Sequence, residues 1–108
     1  MPSNLIVAKM HPEHAASVAG LFTEFDKSEM PWRMGTLRRQ LFTFHGLYFH
    51  LQDYAVDDSR AAIEEAKTDP RFQRISADLR PFIEAYDQGW RSPSDAMADC
   101  FYTWQRGS

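Results

Sequence analysis

The order of apolar patterns along this chain predicts an α+β domain of ferredoxin-like topology, βαββαβ. Three observations lead there. Short apolar segments of strand character lie near both ends. Two more meet in the middle, with only His45-Gly46 between them. Stripes of helical period fill both remaining gaps. Such an order folds as an antiparallel four-stranded sheet with helices on one face.

Leu5 to Met10 is short, apolar and bounded by polar residues, as a strand should be. Pro12 suits the first turn of a helix, where its missing N–H leaves nothing unpaired. Ala15, Val18, Leu21, Phe22 and Phe25 follow at helical spacing. Asp26 to Glu29 ends that helix, and Met30-Pro31-Trp32 prevents its continuation. A second strand is expected over about Met34–Phe44 and a third over Leu47–Tyr54. His45-Gly46 makes the turn between them, with Gly46 supplying the unusual dihedral. Asp57, Asp58 or Ser59 can cap a helix over Arg60–Lys67. Asp69-Pro70 starts another, with a stripe of Phe72, Ile75, Leu79, Phe82, Ile83 and Tyr86. After Gly89 and Ser92-Pro93-Ser94, Ala96 to Gln105 is expected to be a fourth strand, with Cys100 in the core.

The 108 residues make one domain, 1–108, with no repeat or linker. At 44% hydrophobic the chain can bury a core, yet a domain of this size remains modestly covered, so a second copy is a fair expectation. A net charge of −3 and scattered basic residues argue against nucleic acid as partner. No segment has the apolar length of a membrane span, and the N-terminus reads as mature cytoplasmic sequence. The single cysteine excludes an intrachain disulfide. His11 and His14 have the spacing of a metal pair but no third ligand near them in sequence, so no metal site is expected.

The two-residue turn sets the register of the central hairpin: Phe44 faces Leu47, Phe42 faces Phe49, Leu41 faces His50 and Arg39 faces Gln52. Alternation then sorts its side chains. One face carries Gln40, Phe42, Phe44, Leu47, Phe49 and Leu51 and is almost wholly apolar. The other carries Arg39, Leu41, Thr43, Tyr48, His50 and Gln52 and is mostly polar. Two arrangements fit. Either the apolar face lies under the helices and the polar face is solvated, or the apolar face meets another chain and the polar face lines a pocket beneath the helices.

These residues also resemble a known family. Glu29-Met30-Pro31, Gly35 and the run Arg38 to Leu51 are similar to the signature of the tetracenomycin-type aromatic polyketide cyclases. The similarity continues through Asp69-Pro70-Arg71-Phe72 and Ala85-Tyr86-Asp87, then Ser92 to Ala98 and Cys100 to Trp104. It covers nearly the whole chain without insertion. The resemblance implies a dimeric α+β barrel, in which the sheets of a homodimer face each other. It implies a cofactor-independent polyketide cyclase and aromatase of antibiotic or pigment biosynthesis. Such an enzyme performs regiospecific aldol-type cyclisation and dehydration of a poly-β-ketone, alongside polyketide synthase components. It also favours the pocket arrangement, with the Phe42/Phe49 face between subunits.

By motif position the family's site residues fall on Asp26, Arg39 and His50. Phe25 stands where the family often has histidine, so any acid–base role of that residue is absent or passes to another group. The expected roles follow from the chemistry. Arg39 would hold a ketone or enolate oxygen, because its charge never titrates. His50 would move protons near neutral pH, and Asp26 would assist. Flat walls and polar contacts for the substrate are expected from Tyr48, Trp32, Phe25, Phe22, Thr43, Gln52, Tyr86, Trp90 and Trp104. Two rival functions share the fold or the ligand: a cofactor-free anthrone-type monooxygenase, and a non-catalytic polyketide-binding accessory protein.

Overall fold

The computed structural model describes residues 3–55, 59–91 and 93–107. Its elements run β1 (Ser3–Lys9), a 3₁₀ turn (Pro12–His14), α1 (Ala15–Asp26), α2 (Met30–Met34), β2 (Thr36–Phe44), β3 (Leu47–Tyr54), α3 (Ser59–Ala66) and α4 (Pro70–Leu79). A second 3₁₀ turn covers Pro93–Ala96. The sheet is antiparallel in the order β1-β3-β2, with the helices against one face. This is the expected ferredoxin-like α+β arrangement.

The central hairpin keeps the register expected from its turn, with Arg39 opposite Gln52, Leu41 opposite His50 and Phe44 opposite Leu47. Gly46 takes φ 78° and His45 takes φ 49°, so both turn residues adopt the left-handed conformation that matches the twist of the strands. A bulge at Leu37, between Thr36 and Arg38, starts β2.

Three differences from the sequence reading have physical causes. The first helix ends at Asp26, but Met30-Pro31-Trp32 is itself helical: Pro31 lies in the first turn of α2, where a missing N–H costs nothing. Gly35, at φ 74°, then stops α2 and turns the chain into β2, which therefore begins at Thr36 rather than Met34. Burial of Met30 and Met34 anchors this short helix. The stripe after Asp69-Pro70 is helical only to Leu79, because Pro81 forbids continuation. Phe82, Ile83 and Tyr86 therefore lie beyond the helix. Asp69 does cap α4, accepting from the Arg71 backbone N–H at 2.8 Å, and the Arg71 side chain's hydrogen bonds hold its carboxyl below the usual range. The expected caps Asp57 and Asp58 lie outside the described residues.

The third difference is at the C-terminal end. No fourth strand forms over 96–105 among the described residues. The free edge of β1 is instead shared by two short bridges, Lys9 with Glu84 and Ile6 with Met97. Counting onward in the antiparallel sense from Ile6–Met97 sets Cys100 opposite Ser3, the first residue of β1. The chain beyond therefore has run past the strand it would pair with. Phe101, Tyr102 and Trp104 are exposed, and so is Cys100, which was expected in the core.

The core lies between sheet and helices. Val18, Phe22 and Phe25 share one face of α1 and meet Ile63 and Ala66 of α3, Ile75 of α4, and Ala8, Met10 and Tyr48. The side of the sheet turned toward this core is the one that carries Tyr48, His50, Gln52 and Tyr54. All four are buried, while their neighbours Leu47, Phe49, Leu51 and Asp53 are half-buried. The polar face of the hairpin is therefore the covered one. No helix of the described residues is long and apolar enough to cross a membrane.

Candidate active site

Strand alternation aims Tyr48, His50 and Gln52 of β3 and Arg39 of β2 at the helices. His50 is 6% exposed, and Tyr48 and Gln52 are 3% exposed. Polar groups so covered must find partners, and Arg39 supplies them. Its Nη1 donates to His50 Nε2 at 2.8 Å and to Gln52 Oε1 at 3.1 Å. Its Nε donates to Asp26 Oδ2 at 3.0 Å, and its Nη2 to Asp26 Oδ1 at 2.9 Å. Asp26 closes α1, so the fork joins the end of that helix to the middle of the sheet.

Aromatic rings complete the cage. The Arg39 guanidinium lies 4.8 Å from the Phe22 ring centroid and 5.7 Å from that of Phe25, within reach of the rings' negative faces. Phe22 also meets the His50 ring edge-on at 5.0 Å. Phe25, read as a departure from the family's histidine, thus gives the cation an apolar wall. The Arg39 side chain is only 8% exposed, whereas that of Asp26 is 37% exposed and faces outward.

The electrostatics of the cluster follow from its burial. Burial, with the Arg39 charge beside it, pushes His50 down to about 3. That shift favours the neutral ring. Burial pushes the Tyr48 hydroxyl well above its usual value, with Arg39 pulling it partly back. Four of the five Arg39 N–H groups are taken by Asp26, His50 and Gln52, which leaves one on Nη2 for anything else.

A cavity of about 380 Å³ opens above this cluster, between the sheet and the helices. Arg39, Tyr48, His50 and Gln52 form its polar floor, Phe22, Phe25 and Trp90 give aromatic wall, and α3 and α4 close it with Ile63, Phe72, Ile75 and Leu79. A mostly apolar cavity with a few convergent polar groups is the usual form of a small-molecule site.

Seven of the sequence-predicted residues line this cavity: Arg39, His50, Tyr48, Gln52, Phe22, Phe25 and Trp90. Asp26 reaches it only through Arg39. Four others lie elsewhere. Trp32 sits on the outward side of α2 and is 87% exposed. Thr43 shares the polar face but lies near the hairpin turn, where β2 is exposed. Tyr86 follows the proline break, stacking on Trp90 at 6.3 Å and lying under Lys9. Trp104 is on the segment that has run past β1. The α4 wall was missed because its stripe reads as ordinary core. A stripe that faces Arg39, His50 and Gln52 cannot fill the space above them, and only the sheet's orientation reveals this. Arg80 and Arg91, at the cavity rim, carried no signal at all.

His11 and His14 lie with their rings 5.9 Å apart, His14 packing on Phe82. No cluster of three or more His, Cys, Asp or Glu among the described residues is placed to hold a metal.

A family model described as polyketide synthesis cyclase matches residues 2–105. The chain is 38% identical over 100 residues to the tetracenomycin F2 cyclase of Streptomyces glaucescens, covering 93% of this chain and 91% of that one. It is 37% identical over 103 residues to the polyketide synthase CurG of Streptomyces cyaneus, covering 94% and 95% respectively. The solved structure of the S. glaucescens cyclase, a type-II polyketide cyclase, superposes with a TM-score of 0.91 over 99% of this chain and 100% of that one, at 34% identity. An antibiotic biosynthesis monooxygenase superposes with a TM-score of 0.52 at 18% identity, over 77% of this chain and 86% of that one, which is a likeness of fold alone.

Proposed function

Because this chain belongs to the polyketide synthesis cyclase family, we propose that the cavity over Arg39, Tyr48 and His50 is where it folds and closes a poly-β-ketone. It is a polyketide cyclase, and the observation that carries the site is the covered polar face of the hairpin. Tyr48, His50 and Gln52 are buried beneath an apolar roof, with the Arg39 guanidinium among them.

The reaction asks for little more. A methylene between two carbonyls ionises readily once one carbonyl oxygen is held by donors. Its carbon then bonds to a second ketone carbon, whose oxygen takes the electron pair and is protonated. Loss of water and enolisation give the aromatic ring. A strong base is not required; a positive, water-poor site that stabilises oxygen charge is. Arg39, held by Asp26 and walled by Phe22 and Phe25, supplies that field. The apolar walls hold the chain in one fold so that one ring forms.

The reading extends to a homodimer. The outer face of the hairpin leaves Leu37, Phe42 and Phe44 exposed, Phe44 by 62%, and a second copy of the same sheet would cover them. Polyketide intermediates delivered by polyketide synthase components are the substrates we infer.

The test is conversion of tetracenomycin F2, the compound for which the S. glaucescens relative is named. Alongside it, the chain is co-expressed with a minimal polyketide synthase and the products are identified. A cyclised, dehydrated product formed equally well without oxygen is expected. A product that requires oxygen, or tight binding without turnover, would overturn the cyclase reading.

A further inference from the structure

The hydrogen bonds around His50 have only one consistent direction. Arg39 Nη1 can only donate, so His50 Nε2 must accept. The ring then carries its proton on Nδ1, since a ring accepting at both nitrogens would be an imidazolate. Nδ1 lies 3.2 Å from Tyr48 Oη, and so Nδ1–H donates to the tyrosine oxygen. The hydroxyl proton of Tyr48 must therefore point away from His50. No other partner for that oxygen exists among the described residues, and Tyr48 lines the cavity. The last donor of the chain Arg39, His50, Tyr48 is thus a phenol O–H left without a protein acceptor among the described residues, on a side chain that lines the cavity.

We propose that Tyr48 is a catalytic residue, its hydroxyl donating to the reacting ketone oxygen, and that His50 is a positioning residue that orients it. This rests on the cyclase reading and deepens it. As the new carbon–carbon bond forms, the ketone's π electrons move onto its oxygen, and the Tyr48 hydrogen bond strengthens with that charge. The methylene proton leaves to water at the cavity mouth, and water returns one to the alkoxide, so Tyr48 ends as it began. A phenol held protonated by burial is suited to donate and unsuited to act as base. His50 is framed by Arg39, Tyr48 and the edge of Phe22, which leaves both its nitrogens engaged.

Two measurements test this. The first is ¹⁵N NMR of the histidine rings in wild type and Tyr48→Phe, which needs no substrate. A neutral His50 with its proton on Nδ1 is expected in both; a proton on Nε2, or a charged ring at pH 7, overturns the hydrogen-bond order. The second is turnover of tetracenomycin F2, the probe proposed above. Tyr48→Phe should lower kcat about 10²-fold with little change in KM, as loss of one oxyanion donor does. His50→Leu should cost a similar factor, and almost nothing further in the Tyr48→Phe background. His50→Gln, which keeps an acceptor for Arg39 and a donor for Tyr48, should restore part of the rate. A second full loss on adding His50→Leu to Tyr48→Phe would show that His50 acts independently, and would sink the proposal. A wild type that converts no polyketide would sink the functional reading instead, while the NMR result still judges the relay.

Discussion

The two faces of the β2–β3 hairpin are built from alternate residues of the same strands, yet they are solved in opposite ways. The face with Arg39, Tyr48, His50 and Gln52 is covered, and nearly every polar atom on it is paired. The face with Phe42 and Phe44 is greasy and largely open. An ordinary two-layer domain would do the reverse. Polarity alone therefore does not decide which side of a sheet is inside. A polar face can be buried where one arginine satisfies several acceptors at once.

The largest effect should come from removing the cation that makes the covered face tolerable. Arg39→Ala leaves Gln52 and His50 without a donor and Asp26 without its partner. It should lower turnover at least as much as Tyr48→Phe and cost about 2–3 kcal/mol in urea unfolding. Wild-type stability in that variant would mean that the network is not what holds the polar face inside.

A smaller effect should follow pH. The folded His50 stays neutral down to about 3, whereas the unfolded ring takes up a proton below 6.5. The unfolded state therefore binds the extra proton. Stability should be full above pH 6.5 and fall as pH drops, by up to about 1.4 kcal/mol per unit for one proton. Denaturation measured between pH 7 and pH 5 should show this slope in wild type and its loss in His50→Gln. An identical slope in both would place the proton uptake elsewhere.

The mildest effect on the folded chain should come from the open face. Phe42→Asp adds a charge where the side chain is already half exposed, so the cavity should be little disturbed. Sedimentation at micromolar concentration should show wild type as a dimer and this variant as a monomer. A wild type that sediments as a monomer would mean that nothing of its own kind covers Phe42 and Phe44.

Legibility in the sequence followed the range of the forces involved. The hairpin register was readable because a two-residue turn and a period of two are local rules, and it holds at every pair from Arg39 to Phe44. The length of α4 departs from its apolar stripe because Pro81 stops the helix after Leu79. The fourth strand was misread for a different reason. Residues 101–105 have strand composition, but in the register of Ile6 with Met97 they lie past the first residue of β1, which no local pattern records. Trp32 and Trp104 were candidates by type alone, and their positions on α2 and past β1 take them out of the cavity.

By itself, then, the sequence determined which side chains share a face, where the chain turns, and which family the central motif resembles. It could not decide which face the helices cover, because both arrangements obey the same alternation. Nor could it show that His50 would be pushed down from its ordinary value, since that shift comes from burial and from Arg39 brought within 2.8 Å of the ring. Covering and charge placement are long-range, and packing α1 and α4 over the sheet settled both.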